Sequence, residues 1–153
     1  MDWNKLFFSF DGRINRAKFW VVGLINIAVS LADHVAGDIL LDTLGASAYL
    51  PTIILVSAFS IWTGLAAGVK RLHDREKSGW WLLVFFLLPA LLGIAALFID
   101  PTSPGIPALA LKTVTNVIGL WAIIELGCLK GTSGPNIYGA DPLAARVEAT
   151  ASV

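Results

Sequence analysis

The chain has 153 residues, of which 56% are hydrophobic and only 14% charged, against roughly 45–50% and about 25% in soluble domains. Mean hydropathy is +0.74, which excludes intrinsic disorder and a soluble domain with a full polar exterior. Eleven basic and eleven acidic side chains cancel and Cys128 is the single cysteine, so a broad basic surface for nucleic acid, an internal disulfide and a cysteine-rich zinc site are excluded as well.

The first predicted element is short. Trp3, Leu6, Phe7 and Phe10 stand at i, i+3, i+4 and i+7, the spacing of one apolar helix face. It is too short to cross a bilayer, so an interfacial helix, or a piece packed under the other helices, is expected. A crossing needs about 20 mostly apolar residues for roughly 30 Å of hydrocarbon. Phe19–Ala32 is apolar apart from Asn26 and Ser30, and the predicted span extends to about residue 37, with Asp33 and His34 near its far end. The aromatics and aspartates ahead of it, and the lack of an A-x-A site after it, indicate a retained helix rather than a cleaved signal peptide.

Two further stretches, Tyr49–Val69 and Trp80–Ile99, carry no charge. Trp80 and Trp81 suit the headgroup belt, and Pro89 interrupts the middle of the second stretch. Gly64 and Gly68 form a G-x-x-x-G pattern, which permits close helix approach within the chain. The turn Asp100–Pro107 holds three prolines and a glycine and is predicted to be stiff and non-helical. The last span, about 108–129, contains Lys112 at one end and Glu125 near the other.

Lys5, Arg13, Arg16, Lys18, Lys70, Arg71, Arg75, Lys77, Lys130 and Arg146 all fall on one side of these spans, and Lys112 alone falls on the other. The positive-inside rule makes that side cytoplasmic. The expected fold is an all-α integral membrane protein with four transmembrane helices (about 19–37, 49–69, 80–99 and 108–129) and an N-terminal interfacial helix. Both termini are cytoplasmic, residues 1–142 form one membrane domain, and 143–153 form a flexible tail. The expected location is a bacterial inner membrane.

Polar chemistry concentrates on the same side in three clusters. They are Gly12-Arg13-Ile14-Asn15-Arg16, Arg71-Leu72-His73-Asp74 followed by Ser78-Gly79-Trp80-Trp81, and Asn136-Ile137-Tyr138-Gly139-Ala140-Asp141-Pro142. Arg71 can donate a forked pair of hydrogen bonds to a carboxylate or phosphate. His73 is a group that titrates near neutrality, and Asp74 is expected to pair with an arginine of the first cluster. Ser78 fits an N-cap, Gly79 lets the chain turn, and Trp80 anchors at the headgroups. Asn136 or Asp141 is placed to close the network from the tail.

The pattern GR-x-x-R-x-x-FW, RLHD-x-x-x-SGWW and N-x-YG-x-DP resembles the bacterial domain of unknown function 805 family, small YhaH-like inner-membrane proteins. The resemblance runs from about Trp3 to Pro142, and it implies an architecture and motif positions but no activity. Lys70 stands where that family usually has an arginine, and Ile137 where a basic residue often follows the asparagine.

Three roles are weighed for these clusters: a structural lock on the helix ends, a site for an anionic headgroup, nucleotide or acidic partner, and acid–base catalysis. Adjacent His73 and Asp74 do not face each other on a helix, and no nucleophile motif, phosphate loop or metal spacing accompanies them. The expected function is therefore a structural cap of Gly12, Arg13, Arg16, Arg71, His73, Asp74, Ser78, Gly79, Trp80, Glu125, Asn136, Tyr138, Gly139 and Asp141 that binds anionic lipid or a protein partner, with no cofactor, metal or nucleic acid. The alternative is a membrane enzyme or carrier working through His73, Asp74 and Glu125 on a lipid-linked or small ionic substrate. Glu125 is expected to bridge to Arg71, Arg13 or Arg16. His34, Asp38 and Asp42 recur every four residues and are expected to form a solvated helix end rather than a cation site. Cys128 is expected to be an inert packing residue.

Overall fold

A computed structural model of the protein describes residues 2–99 and 105–144. Among the described residues every regular element is helical, with one isolated bridge between Asn136 and Gly139. Most of the predicted Asp100–Pro107 turn and of the 143–153 tail lies outside the described residues.

Helix α1 (Trp3–Phe8) starts on Asp2, whose carboxylate accepts the Lys5 amide at 3.1 Å. It packs on a later helix instead of standing alone. Leu6 is buried with Ile14, Val22 and Ala67, and the rings of Phe7 and Phe8 sit 6.3 and 6.4 Å from Phe59.

Helices α2 (Arg16–Leu44) and α3 (Ala46–Asp74) form a long hairpin. Both run past their predicted ends. Asn15 caps α2 by accepting the Lys18 amide at 3.0 Å, and the far end continues through Asp33 and the exposed His34, Asp38 and Asp42, whose side chains leave the backbone bonding intact. The turn is the single residue Gly45, held at φ 76°, a left-handed conformation that glycine adopts without a Cβ penalty. α3 likewise continues through Lys70, Arg71 and His73, so these residues form the last helical turn and not a loop.

α3 stops in a Schellman motif: the Lys77 amide donates to Leu72 O at 2.9 Å and the Glu76 amide to His73 O at 3.1 Å. Glu76 takes the left-handed position at φ 56°. Ser78 then accepts the Trp80 amide at its hydroxyl at 3.4 Å. A π-helical segment (Leu83–Leu87) leads into α4 (Leu88–Ile99). The expected interruption at Pro89 therefore takes the form of a widened turn just ahead of it, where the ring has no N–H to donate and crowds the carbonyl four residues back.

Helix α5 (Ile106–Ala122) continues as a second π-helical segment, Ile123–Cys128. α4 and α5 form a second hairpin, stitched near its start by Trp121 against Trp81 and Phe85 at 5.8 and 5.1 Å. The hairpins join around Leu72, Leu82, Phe85, Ala122 and Leu126. Arg16–Thr43, Tyr49–His73 and Ile106–Cys128 are long and apolar enough to cross a membrane, and Leu83–Ile99 is a shorter apolar helix.

Candidate functional site

The three polar clusters meet at one end of the molecule, around the last turn of α3. A helix ends with backbone carbonyls that lack intrahelical partners and carry the negative pole of its dipole. The end of the α5 helix is served almost entirely by cationic and aromatic side chains from upstream. Arg71 donates from Nε to Leu126 O at 2.7 Å and from a terminal nitrogen to Leu129 O. Trp20 reaches Gly127 O at 3.1 Å, Arg16 reaches Cys128 O at 2.8 Å and Arg75 reaches Lys130 O at 2.7 Å. A Cβ on Gly127 would lie 2.7 Å from the Trp20 ring, so the indole fits only because that residue is glycine.

Asp74 is the hub. One carboxylate oxygen accepts Arg13 Nε at 3.1 Å and the other accepts the Arg71 guanidinium. All three groups are buried, and burial of charge is tolerated where each is paired and hydrogen-bonded. Arg13 also holds the tail, donating to Thr132 O at 2.6 Å, Gly134 O at 2.7 Å and Gly139 O at 3.3 Å. The backbone carbonyl of Asp74 accepts the Thr132 amide at 2.8 Å. Between them Gly131 passes so close that an added Cβ would overlap the Asp74 carboxylate and stand 2.9 Å from its carbonyl oxygen.

His73 does not pair with Asp74. Its Nδ1 donates to Gly12 O at 3.3 Å, and its ring stacks on Tyr138 with centroids 3.9 Å apart and planes at 4°. Asn136 donates to His73 O at 2.9 Å. Asp141 folds the tail on itself, accepting the Leu143 and Gly134 amides at 2.8 and 2.9 Å, and these two donors hold its carboxyl below the ordinary 3.8.

Glu125 stands apart from this hub. Its partners are Arg75 at 2.9 Å and Lys77 at 2.8 Å, not Arg71, Arg13 or Arg16. The reason is geometric: Arg71 and Arg13 are consumed by Asp74 and by carbonyls, whereas the Schellman turn after Asp74 swings Arg75 and Lys77 toward α5. Gly79 packs on Val69, with 3.2 Å from a notional Cβ to its methyls, and Trp80 is exposed. Cys128 is exposed rather than packed. His34, Asp38 and Asp42 are exposed at the far end of α2, and among the described residues no group of three potential ligands gathers around one point.

Several participants carry no signal that sequence reasoning used. Gly127, Gly131 and Gly134 act through backbone contacts that have no residue signature, whereas Thr132 also bonds through its hydroxyl and Trp20, the last residue of the FW motif, through its indole. Lys70 is buried and donates to Lys5 O and Leu6 O at 2.6 Å each, fastening the end of α1. Its place beside Arg71 in the motif was the only pointer to it.

A family model described as a protein of unknown function, DUF805, matches residues 7–140. The chain belongs to the DUF805 family. It is 35% identical over 136 residues to the uncharacterized protein YiiR of Escherichia coli (strain K12), covering 88% of this chain and 86% of that one. It is 30% identical over 150 residues to the inner membrane protein YhaH of the same organism, covering 93% and 97%. A third relative, the inner membrane protein YhaI, is 31% identical over 138 residues, covering 90% and 89%. No solved structure matches. With three helices of crossing length and composition, this member of the family is a multi-pass integral membrane protein.

Proposed function

We propose that the chain is a four-crossing, non-enzymatic inner-membrane protein whose polar end faces the cytoplasm, closes the helix ends as a structural cap, and holds anionic lipid headgroups on an exposed basic rim. The relatives named as inner membrane proteins support the location. Contacts support the count. Arg13 touches Asp74 and Asp74 touches Thr132, so the chain leaves and returns to one side between each pair. One crossing by α5 then requires another by the apolar helix Leu83–Ile99. The excess of lysine and arginine at this end supports a cytoplasmic orientation.

The observation that carries the cap function is the use of the buried arginines. Arg13 and Arg71 spend their donors on Asp74 and on carbonyls, so anion binding falls to the exposed Arg16 and Lys130, which flank a cleft of about 170 Å³ also lined by Ser133 and Asp141. Cations at such a surface attract anionic lipid. No observation favours the enzyme or carrier alternative: Asp74 is held by two arginines, Glu125 by Arg75 and Lys77, and His73 by Tyr138 and Gly12.

Two experiments test this. In intact cells, a cysteine placed at Glu76 in a Cys128→Ser background is expected to resist a membrane-impermeant thiol reagent, and labelling from outside overturns the orientation. In detergent, the purified protein is expected to retain phosphatidylglycerol over phosphatidylcholine, and Arg16→Gln with Lys130→Gln to abolish that preference. Equal retention of both lipids by the unaltered protein overturns the rim.

A further inference from the structure

We propose that the groove between α3 and α4 is a binding site for one phospholipid of the leaflet adjoining the cap, with an acyl chain along the groove and the headgroup at its mouth beside His73 and Ser78. The inference rests on the bilayer placement above and makes no use of the basic rim.

The two hairpins are joined unevenly. α2 packs along α3 and α4 along α5, but α3 meets the second hairpin near the cap. There Gly68 admits Leu82, with 2.9 Å from a notional Cβ to the leucine methyl. Away from this pinch the hairpins part. The gap is about 660 Å³, walled by Gly64, Leu65, Leu83, Phe86 and Ala90, and α4 itself has no buried residue. A second cavity of about 450 Å³ shares Leu65, Leu82 and Leu83 with it and opens among Phe10, His73, Ser78 and Trp80. The two adjoin at these leucines, giving uncharged, largely apolar walls that open beside His73 and Ser78, an arrangement that suits an amphiphile.

Length decides between a lipid and a helix from a second copy. The channel runs along α3 from His73 to Ser60, about 20 Å at 1.5 Å per residue. Half the hydrocarbon core is about 15 Å, and a transmembrane helix needs the full 30 Å or so. A groove of this length accommodates one leaflet's chain with its headgroup region and stops short of what a second crossing helix would line. The exposed Trp80 marks the headgroup depth at the mouth, where tryptophan concentrates.

The test uses the full chain in nanodiscs of phosphatidylethanolamine and phosphatidylglycerol. After transfer to detergent, native mass spectrometry is expected to show one retained phospholipid per chain. A phospholipid with a diazirine on its acyl chain is expected to label Leu65, Leu83 and Phe86 well above the lipid-facing Leu97 and Val117. Ala90→Trp fills the groove from one wall and is expected to lower retention about ten-fold or more, while Val117→Trp leaves it unchanged. Should Ala90→Trp fail to fold, Gly64→Ile fills the opposite wall, where a Cβ meets nothing closer than Asn26 at 3.9 Å. Labelling spread evenly over all lipid-facing residues, absence of retained lipid, or a dimer trapped by Phe86→Cys disulfides in a Cys128→Ser background would each overturn the proposal. Retention that survives Arg16→Gln with Lys130→Gln separates this site from the rim, so either can fail without the other.

Discussion

The two ends of the same four helices are built on different principles. At the cap, helix ends from both hairpins and the tail are tied by a continuous set of hydrogen bonds centred on Asp74. At the opposite end α2 and α3 meet through a single glycine, Gly45, and through Gly37, where a notional Cβ falls 2.7 Å from the Tyr49 ring. His34, Asp38 and Asp42 are exposed there, and one carboxylate oxygen of Asp33 is buried without a hydrogen bond. The contrast teaches that apolar helices in lipid gain little orientation from burial alone, since the surrounding chains are as apolar as their side chains. Directional polar bonds at one end supply the register.

Five substitutions probe this contrast. The largest effect is expected from Asp74→Ala, which strands two buried guanidiniums and costs about 3–5 kcal/mol; a detergent unfolding curve or limited proteolysis should show loss of the folded cap. Normal stability in that variant would mean the hub is dispensable. Gly131→Ala forces a methyl into the Asp74 carboxylate and is expected to cost about 1–3 kcal/mol by the same assay. Glu76→Gly runs the other way. It relieves a left-handed residue of its Cβ penalty and should raise stability by about 1 kcal/mol, read as a higher unfolding midpoint. At the far end, Asp38→Asn and His34→Ala are expected to stay within about 0.5 kcal/mol, and a larger loss at either position would erase the contrast between the ends.

Much of this architecture was legible in advance. The uncharged stretches 49–69 and 80–99 and the one-sided lysines and arginines mark helices and a common polar end without any tertiary information. Helix limits were less legible. Charged residues such as Arg71 and Asp42 read as loop signals, yet a helix end tolerates them wherever their side chains find partners or water. Least legible were the acceptors. An arginine excess over nearby acids suggests an external anion, whereas Arg71 serves the carbonyl end of α5 and Arg13 the carbonyls of the tail, and a backbone carbonyl leaves no trace in residue identity. The same blindness hid Gly127 and Gly131, whose value lies in the absence of a side chain beside Trp20 and Asp74.

The dependence of Arg13 and Arg71 on carbonyls between Leu126 and Gly139 has a temporal side. The ribosome delivers these arginines long before their acceptors, so through most of translation both guanidiniums have no native partners beyond Asp74. Assembly of the cap therefore waits for the final helix and tail to emerge, and a nascent chain stopped ahead of Leu126 exposes an unfinished, cationic end to whatever quality-control machinery surveys the membrane.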